Sequence, residues 1–356
     1  MKVFILTTEL TKKSGYSRYS IDLISALKKR GIEVIVAEGL PNPLSYKKRY
    51  FLALWYAIRL SKQAKDCDII HCLTEPYSYI TYILTRLVRK KYFITTHGTY
   101  GVLPYNLSTY KRYFHRKSFD NAEKVICVSN YTKKRMEEFG LNNLIVINNG
   151  INYDAIHQIH EGNIGNKGGF ILSVGALKYR KGYHVSIVAF SKVRTKLKNL
   201  QYYIVGDQND SSYFNYLKKM VSDLNLESSV KFFTSISDSK LVGLYKKAKM
   251  FLLTPVSEGS NFEGFGLVYL EAGACGLPVV GSLNSGAEDA INDKKTGLLV
   301  PQNDPEAVSE AILAILENER FAKKLGNNGT IFAKDHDWDN VVERYIEVYV
   351  GHGLGV

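Results

Sequence analysis

EGSNFEGFGLVYLEAGACGLPVV, residues 258–280, decides how the rest of the chain reads. It overlaps no strand signal at its start but follows MFLLTP (250–255), a buried strand, and FGLVYLEAGACG has the character of a helix running to Gly276. EGFG is then the turn joining the two. Gly264 and Gly266, on either side of Phe265, let the backbone approach a ligand closely. The amides of Gly266, Leu267 and Val268 fall at a helix start, where donors lack intrahelical partners and the dipole favours an anion such as a diphosphate. Glu263 precedes that helix, where a carboxylate can accept from sugar hydroxyls. Glu271 sits in the second turn among apolar neighbours, a costly place for a charge without a partner, and a ribose diol suits it. A structural turn, with Glu263 as a cap and Glu271 bonded to a neighbouring amide, fits the spacing equally well.

Working outward, the same strand–turn–helix rhythm recurs. KVFILT (2–7), EVIVAEG (33–39), DIIHCL (68–73), YFITTHG (92–98), KVICVS (124–129) and NLIVINNG (143–150) read as strands buried on both faces. A glycine-rich polar stretch, HEGNIGNKGG (160–169), suits a linker. The pattern restarts with FILSVG (170–175), QYYIVG (201–206), VKFFTS (230–235), MFLLTP, LPVVGS (277–282) and TGLLV (296–300). Alternating strands and helices make parallel sheets, so the expectation is an α/β chain of two Rossmann-like, doubly wound domains. Their boundaries are expected at 1–160 and 161–335, with a C-terminal helix (336–356) packing back on the first domain. Ligands of such sheets bind beyond the carboxyl ends of the strands, so the two domains are expected to face each other across a cleft that holds the site.

The 356 residues, 45% hydrophobic and 23% charged, fit two globular domains. Cys67, Cys72, Cys127 and Cys275 have no metal-ligand or disulfide spacing and read as reduced thiols of a cytoplasmic protein. MKVFILTTEL reads as a strand rather than a signal peptide, and no apolar run reaches the roughly 20 residues that span a bilayer. A formal net charge of +13 favours an anionic partner.

Three further turns carry candidate chemistry. In SVGALKYRKG (173–182), Arg180 and Lys181 stand beside Gly182, where cations can neutralise a diphosphate leaving group; a solvated basic turn is the plainer account. In TELTKKSGYSRYS (8–20), Gly15 leads into a helix and offers a weak phosphate-loop signal. In TTHGTYG (95–101), His97 ends a strand and so becomes a ligand candidate. DHDWD (335–339) and HQIH (157–160) imitate metal sites, but the first reads as an N-cap at Asp337 or Asp339 and the second has no third ligand.

Taken together, these motifs resemble glycosyltransferase family 4, retaining enzymes of the GT-B fold. EGFGLVYLEAGACGLPVV is similar to the family's E-x7-E signature, and THG, VSNYTKK (128–134), INNGIN (147–152), SVGALKYRKG, YYIVGD (202–207) and TGLLVPQND (296–304) extend the likeness. The NFEGFGLVYLEA form resembles members that transfer mannose and related hexoses to lipid or polysaccharide acceptors. The resemblance implies catalytic roles for His97, Lys181 and Glu263: Glu263 on the donor sugar, Lys181 on the diphosphate, His97 against the transferring sugar. It implies donor binding by Gly15, Arg180, Gly206, Phe265, Gly266, Leu267, Val268 and Glu271, with Glu271 on the ribose. It also implies a nucleotide-diphosphate sugar as donor and front-face attack without metal or cofactor. The chain departs from the family at Gly175-Ala176, where Gly-Arg is usual, and Arg180 is the candidate substitute.

SYKKRYFLALWYAIRLSKQAK (45–65) sets an apolar and aromatic run between basic ends, and YKRYFHRKS (110–118) adds a second basic-aromatic cluster. A cationic aromatic helix can lie in the headgroup layer, so an anionic membrane surface, on its inner face, is a candidate partner; a core helix with solvated ends reads as well. Nucleic acid is set aside because no module for it is recognisable. The competing functions are a nucleotide-sugar epimerase or hydrolase of the same fold and a non-catalytic GT-B partner protein.

Overall fold

The structure is a computed structural model that describes residues 1–11, 15–40, 49–106, 109–157 and 168–351. The chain forms two compact units, Met1–Gly150 with Trp338–Val356, and Ile151–Asp337. The divisions fall ten residues before and two residues after those expected from sequence. The cause is local: Ile151 bridges to Asp337 and donates to the His336 carbonyl at 2.9 Å, which draws the Tyr153–His157 helix into the second unit. Most of the expected linker, 160–167, lies outside the described residues.

The first unit holds β1 (Lys2–Leu6), β2 (Glu33–Ala37), β3 (Ile69–Cys72), β4 (Lys91–Thr96), β5 (Lys124–Cys127) and β6 (Leu144–Val146) in a parallel sheet of order β2-β1-β3-β4-β5-β6. The second holds β7 (Phe170–Val174), β8 (Gln201–Val205), β9 (Val230–Phe233), β10 (Met250–Leu252), β11 (Val279–Ser282) and β12 (Gly297–Val300), ordered β12-β11-β10-β7-β8-β9 and again parallel. Helices flank both sheets, and the central strands β3 and β7 are buried along their whole length. In the second sheet the strand order reverses between β7 and β10, and the crevice beyond their carboxyl ends is where such a sheet takes a ligand.

The helix Trp338–Val350 belongs to the core of the first unit. Trp338, Val342 and Tyr345 pack with Tyr19, Leu23 and Ile147. A buried polar chain runs through that packing: Tyr345 to Tyr19 (2.8 Å), Tyr19 to Thr95 (3.1 Å), Thr95 to His71 (2.9 Å), and His71 to Tyr349 (2.6 Å). Each hydroxyl and both ring nitrogens thereby find partners, which a core must provide. Asp339, at the helix start, pairs with Lys29, and Asp337 accepts the Tyr153 amide at 2.9 Å.

The helix Arg49–Ala64 turns its large apolar side chains outward. Ala53, Ala57, Leu60 and Ala64 are its buried positions, and it packs against Ser78–Val88; Phe51, Leu54, Trp55 and Ile58 are exposed. Small residues let the two helices approach closely, and the large apolar side chains are left outside. The core-helix reading of this stretch therefore fails for its outer face. Residues 45–48 lie outside the described residues. No helix among the described residues is long and apolar enough to cross a membrane.

Candidate functional site

Two turns build the site in the second unit. The chain leaves β7 through Gly175, passes the short 3-10 turn Tyr179–Lys181, and enters the helix Tyr183–Lys196 at Gly182. It leaves β10 and reaches the helix Leu267–Ala274 through Glu263, Gly264, Phe265 and Gly266. Gly182 (φ 69°) and Gly266 (φ 89°) are left-handed, and neither offers a side chain to cap the helix it opens. The helices that open at Asp210, Ser237, Asp304 and Asn318 are capped by those side chains. At the two beside the strand-order reversal some first-turn amides are bonded within the protein, His184 to the Tyr213 hydroxyl at 3.3 Å, Val185 to the Gly182 carbonyl at 2.9 Å and Tyr269 to the Gly266 carbonyl at 3.0 Å, and no capping side chain covers the amides of Gly266, Leu267 and Val268.

Glycine is required at Gly182 for a second reason: a Cβ there would stand 1.6 Å from the Thr254 carbonyl oxygen. Thr254 donates to the Gly182 carbonyl at 3.0 Å, and Val256 donates to the Arg180 carbonyl at 2.9 Å. These contacts hold the β7 and β10 turns together and bring Arg180, Lys181 and Glu263 to one point. Lys181 Nζ lies 2.5 Å and Arg180 Nη1 2.9 Å from the same carboxylate oxygen, Oε2 of Glu263. Glu263 is 7% and Lys181 9% exposed.

Burial pushes the Glu263 carboxyl up, but the Lys181 and Arg180 charges outweigh it, and the group sits below the usual carboxylate range. Burial, with Arg180 adding to it, lowers the Lys181 ammonium, and Glu263 opposes the shift. One carboxylate facing two cations leaves a positive charge in surplus beside two uncapped helix starts. Such an arrangement receives an anion.

The remaining donor-side positions are distributed around it. Phe265 is buried, while Leu267 and Val268 in the first helical turn are half-buried. Gly206 follows β8 and is half-buried, and a Cβ there would meet the Gly175 carbonyl oxygen at 1.9 Å, so only glycine lets the β7 and β8 exits approach this closely. Glu271 is half-buried, and its Oε2 accepts from the Tyr245 hydroxyl at 3.0 Å. Tyr245 is a partner that sequence reading did not supply, since it lies on a separate helix, Asp238–Lys247.

In the first unit, His97 follows β4. Its Nε2 donates to the Leu73 carbonyl at 2.9 Å, and burial lowers the imidazole to about 4, so the ring is neutral at pH 7. Tyr16 and Tyr19 meet it in T-shaped pairs at centroid distances of 4.9 and 4.5 Å. Neither tyrosine stands out in the sequence, though the helix period from Gly15 places both near the carboxyl end of β1. Gly15 itself is exposed and opens the helix Gly15–Lys29; residues 12–14 of the expected phosphate loop lie outside the described residues. Among the described residues, no group of three or more His, Cys, Asp and Glu is placed to hold a metal ion. Of HQIH, only His157 is described.

Comparison with known proteins identifies the family. Residues 154–332 match the family described as glycosyl transferases group 1, and residues 13–155 match glycosyltransferase family 4. An uncharacterized glycosyltransferase of Methanocaldococcus jannaschii is 28% identical over 97% of this chain and 88% of its own length. The GDP-mannose-dependent alpha-(1-6)-phosphatidylinositol monomannoside mannosyltransferase of Mycolicibacterium smegmatis is 32% identical over 51% of this chain, a match spanning 47% of that enzyme. Among solved structures, HepE of Anabaena in complex with UDP and glucose superposes with a TM-score of 0.77 at 20% identity, covering 99% of this chain and 100% of that one. That likeness speaks for the fold. The two parallel α/β units and the family matches together place the chain in glycosyltransferase family 4, with the GT-B fold.

Proposed function

We propose that this protein is a retaining, metal-independent hexosyltransferase that takes a hexose from a nucleotide-diphosphate sugar and delivers it to a lipid-linked or polysaccharide acceptor. The observation that carries the reading is the shared carboxylate. Glu263 engages both Lys181 and Arg180 beside two glycine-led helix starts, and the surplus positive charge suits a diphosphate. Arg180 stands in the cluster although Ala176 offers no cation, which supports its role as substitute. A mannosyltransferase relative named as GDP-mannose-dependent and a fold neighbour solved with UDP and glucose support a nucleotide-hexose donor.

In the proposed reaction the bond between the sugar's anomeric carbon and the diphosphate oxygen breaks as the acceptor oxygen forms its bond on the same face. The acceptor proton passes to the departing diphosphate. Lys181, Arg180 and the amides of Gly266, Leu267 and Val268 stabilise the charge that develops on that leaving group. Glu263 orders the two cations and accepts from donor sugar hydroxyls, Glu271 holds the ribose, and neutral His97 faces the transferring sugar. The exposed face of Phe51, Leu54, Trp55 and Ile58, with Arg59, Lys62 and Lys65 nearby in sequence, is proposed to rest on an anionic membrane surface on its inner, cytoplasmic side, where lipid-linked acceptors are reached. Tyr113 and Lys117 of the 110–118 cluster add a second exposed basic-aromatic pair, with the ammonium 5.6 Å from the ring centroid.

The test is binding and slow hydrolysis of UDP-, GDP- and ADP-hexoses, with and without EDTA, for the wild type and Glu271→Ala. Selective binding of one donor, indifferent to EDTA and lost in the variant, is expected. Binding of none, or turnover abolished by EDTA, refutes the proposal.

A further inference from the structure

One buried carboxyl has no part in these roles. Glu75 opens the 3-10 turn Glu75–Tyr77 after β3 and is 1% exposed. Its Oε1 accepts three donors from the exit of β4: the Thr96 hydroxyl at 3.1 Å, the His97 amide at 2.6 Å and the Gly98 amide at 3.2 Å. The His97 ring reaches back the other way, to the Leu73 carbonyl. Two links in opposite directions therefore tie residues 73–75 to residues 96–98. Gly98, with φ 127° and ψ −100°, has the backbone freedom that lets its amide join the same oxygen.

The other oxygen of Glu75, Oε2, is buried and has no hydrogen-bond partner. An unsatisfied buried polar atom costs about 1–3 kcal/mol, and cores rarely keep one without cause. An alanine or leucine would fill this space without that cost but would leave a hydroxyl and two amides without an acceptor. The carboxyl is kept for the turn it organises, and that turn carries His97. A nitrogen facing a carbonyl must be the protonated one, so a neutral ring held on Leu73 leaves Nδ1 as an acceptor.

We propose that Glu75 is a positioning residue for His97: it fixes the 96–98 turn so that the imidazole keeps its Nε2 proton on Leu73 and offers Nδ1 to a sugar hydroxyl. The last part rests on the sugar-facing role proposed for His97. The first part stands on geometry alone.

The experiment is nitrogen-15 histidine NMR on the full chain, with the His97 signal identified by its absence in His97→Gln. The ionisable groups packed about the ring are Glu75, His71 from β3, and Tyr16 and Tyr19 from the helix Gly15–Lys29; His71 titrates lower still, at about 3, and Tyr19 is held well above its ordinary range. In the wild type the signal should be a single Nε2-protonated tautomer titrating at about 4. Glu75→Asp withdraws the carboxyl by one methylene and Glu75→Ala removes it. Both should give mixed tautomers and move the midpoint toward the ordinary 6.5. Glu75→Gln keeps an oxygen at the same reach and should keep the wild-type signal.

An unchanged His97 signal in Glu75→Asp and Glu75→Ala overturns the proposal, as does a Gln variant that behaves like Ala. Should Glu75→Ala fail to fold, Glu75→Asp decides. Donor turnover on the same proteins separates the two readings. A displaced ring with unaltered turnover upholds the positioning role and removes His97 from the sugar site, whereas lost turnover with an undisturbed ring counts against positioning.

Discussion

Glu75 and Glu263 are both buried carboxyls beyond the carboxyl ends of parallel strands, and their surroundings treat them oppositely. Glu75 meets only neutral donors, and burial raises it above the ordinary carboxylate range despite three hydrogen bonds. Glu263 is nearly as deep, yet two cations hold it below that range. The difference lies in what each strand end keeps for a ligand. The second unit stores charge in its turns and is suited to an anion. The first unit's deep histidines are neutral at pH 7, since burial lowers His71 to about 3 and His97 and His115 to about 4.

The sharpest way to break this contrast is to remove Glu263. The buried Lys181 ammonium and the half-buried Arg180 guanidinium then face each other without a carboxylate, and losing one partner of a buried ion pair costs about 3–5 kcal/mol. Glu263→Ala should lose that much in denaturant unfolding, and Glu263→Gln less. A loss below about 1 kcal/mol would show that the cluster is solvated and the contrast with Glu75 unreal. Lys181→Ala tests the chemical half. It should lower donor turnover at saturation by a factor corresponding to about 3–4 kcal/mol, the usual effect of one lost donor to a developing anion. If only donor affinity falls, Lys181 binds the ground state alone and the proposed role is wrong.

Acid should separate the two units. A histidine whose folded value lies below 6.5 leaves the unfolded chain binding more protons, so stability falls as pH drops from about 6.5 toward 4. Each such group contributes on the order of 1 kcal/mol per pH unit, and the first unit holds three, His71 and His115 buried and His97 half-buried. Glu75 acts the other way, because its raised value costs stability as pH rises past 4.5. It is one group against three. Glu263, depressed below 4.5, stabilises the second unit above that pH, and the contribution is lost only as pH falls through its lower value. His184, also lowered by burial, gives the second unit a smaller share of the histidine effect. Hydrogen exchange measured peptide by peptide should show the first unit losing protection between pH 6 and 4.5 while the second keeps it, on the order of the pH units just given. Simultaneous loss would contradict the assignment of neutral and charged interiors.

How much of this was legible depended on whether the cause was local. All twelve strands are readable because β-branched runs between turn residues are local signals, but ten of the twelve runs extend past the strand's carboxyl end: 250–255 contains a strand of only Met250–Leu252. Leu253 still donates to the Val280 carbonyl at 3.1 Å, after which Thr254, and Val256 just beyond the run, bond to the β7 turn. Glu263 and Lys181 were visible as residues, since glycines mark their turns, whereas their contact spans 82 positions and belongs to the fold. Glu75 was invisible for a different reason. Two of its three partners are backbone amides, which any sequence possesses. The Tyr19–Tyr345 bond, 326 positions apart, likewise has no sequence signature.

The helix Arg49–Ala64 carries the contrast to the surface of the first unit, whose deep histidines are neutral but whose outer face here is cationic and aromatic. Trp55 is 53% exposed, with the Arg59 guanidinium 5.5 Å from its ring centroid. A ring in that position gains little from the protein and would gain by entering a headgroup layer, while the guanidinium remains with anionic lipid. Trp55→Ser should therefore leave thermal stability nearly unchanged and weaken binding to phosphatidylglycerol vesicles by about 1–2 kcal/mol, roughly tenfold, the scale of one buried apolar side chain. Arg59→Ser should weaken the same binding mainly at low salt, because its contribution is screened. If both variants bind as the wild type does, the exposed aromatics serve another partner; if Trp55→Ser unfolds instead, the ring is part of the core despite its exposure.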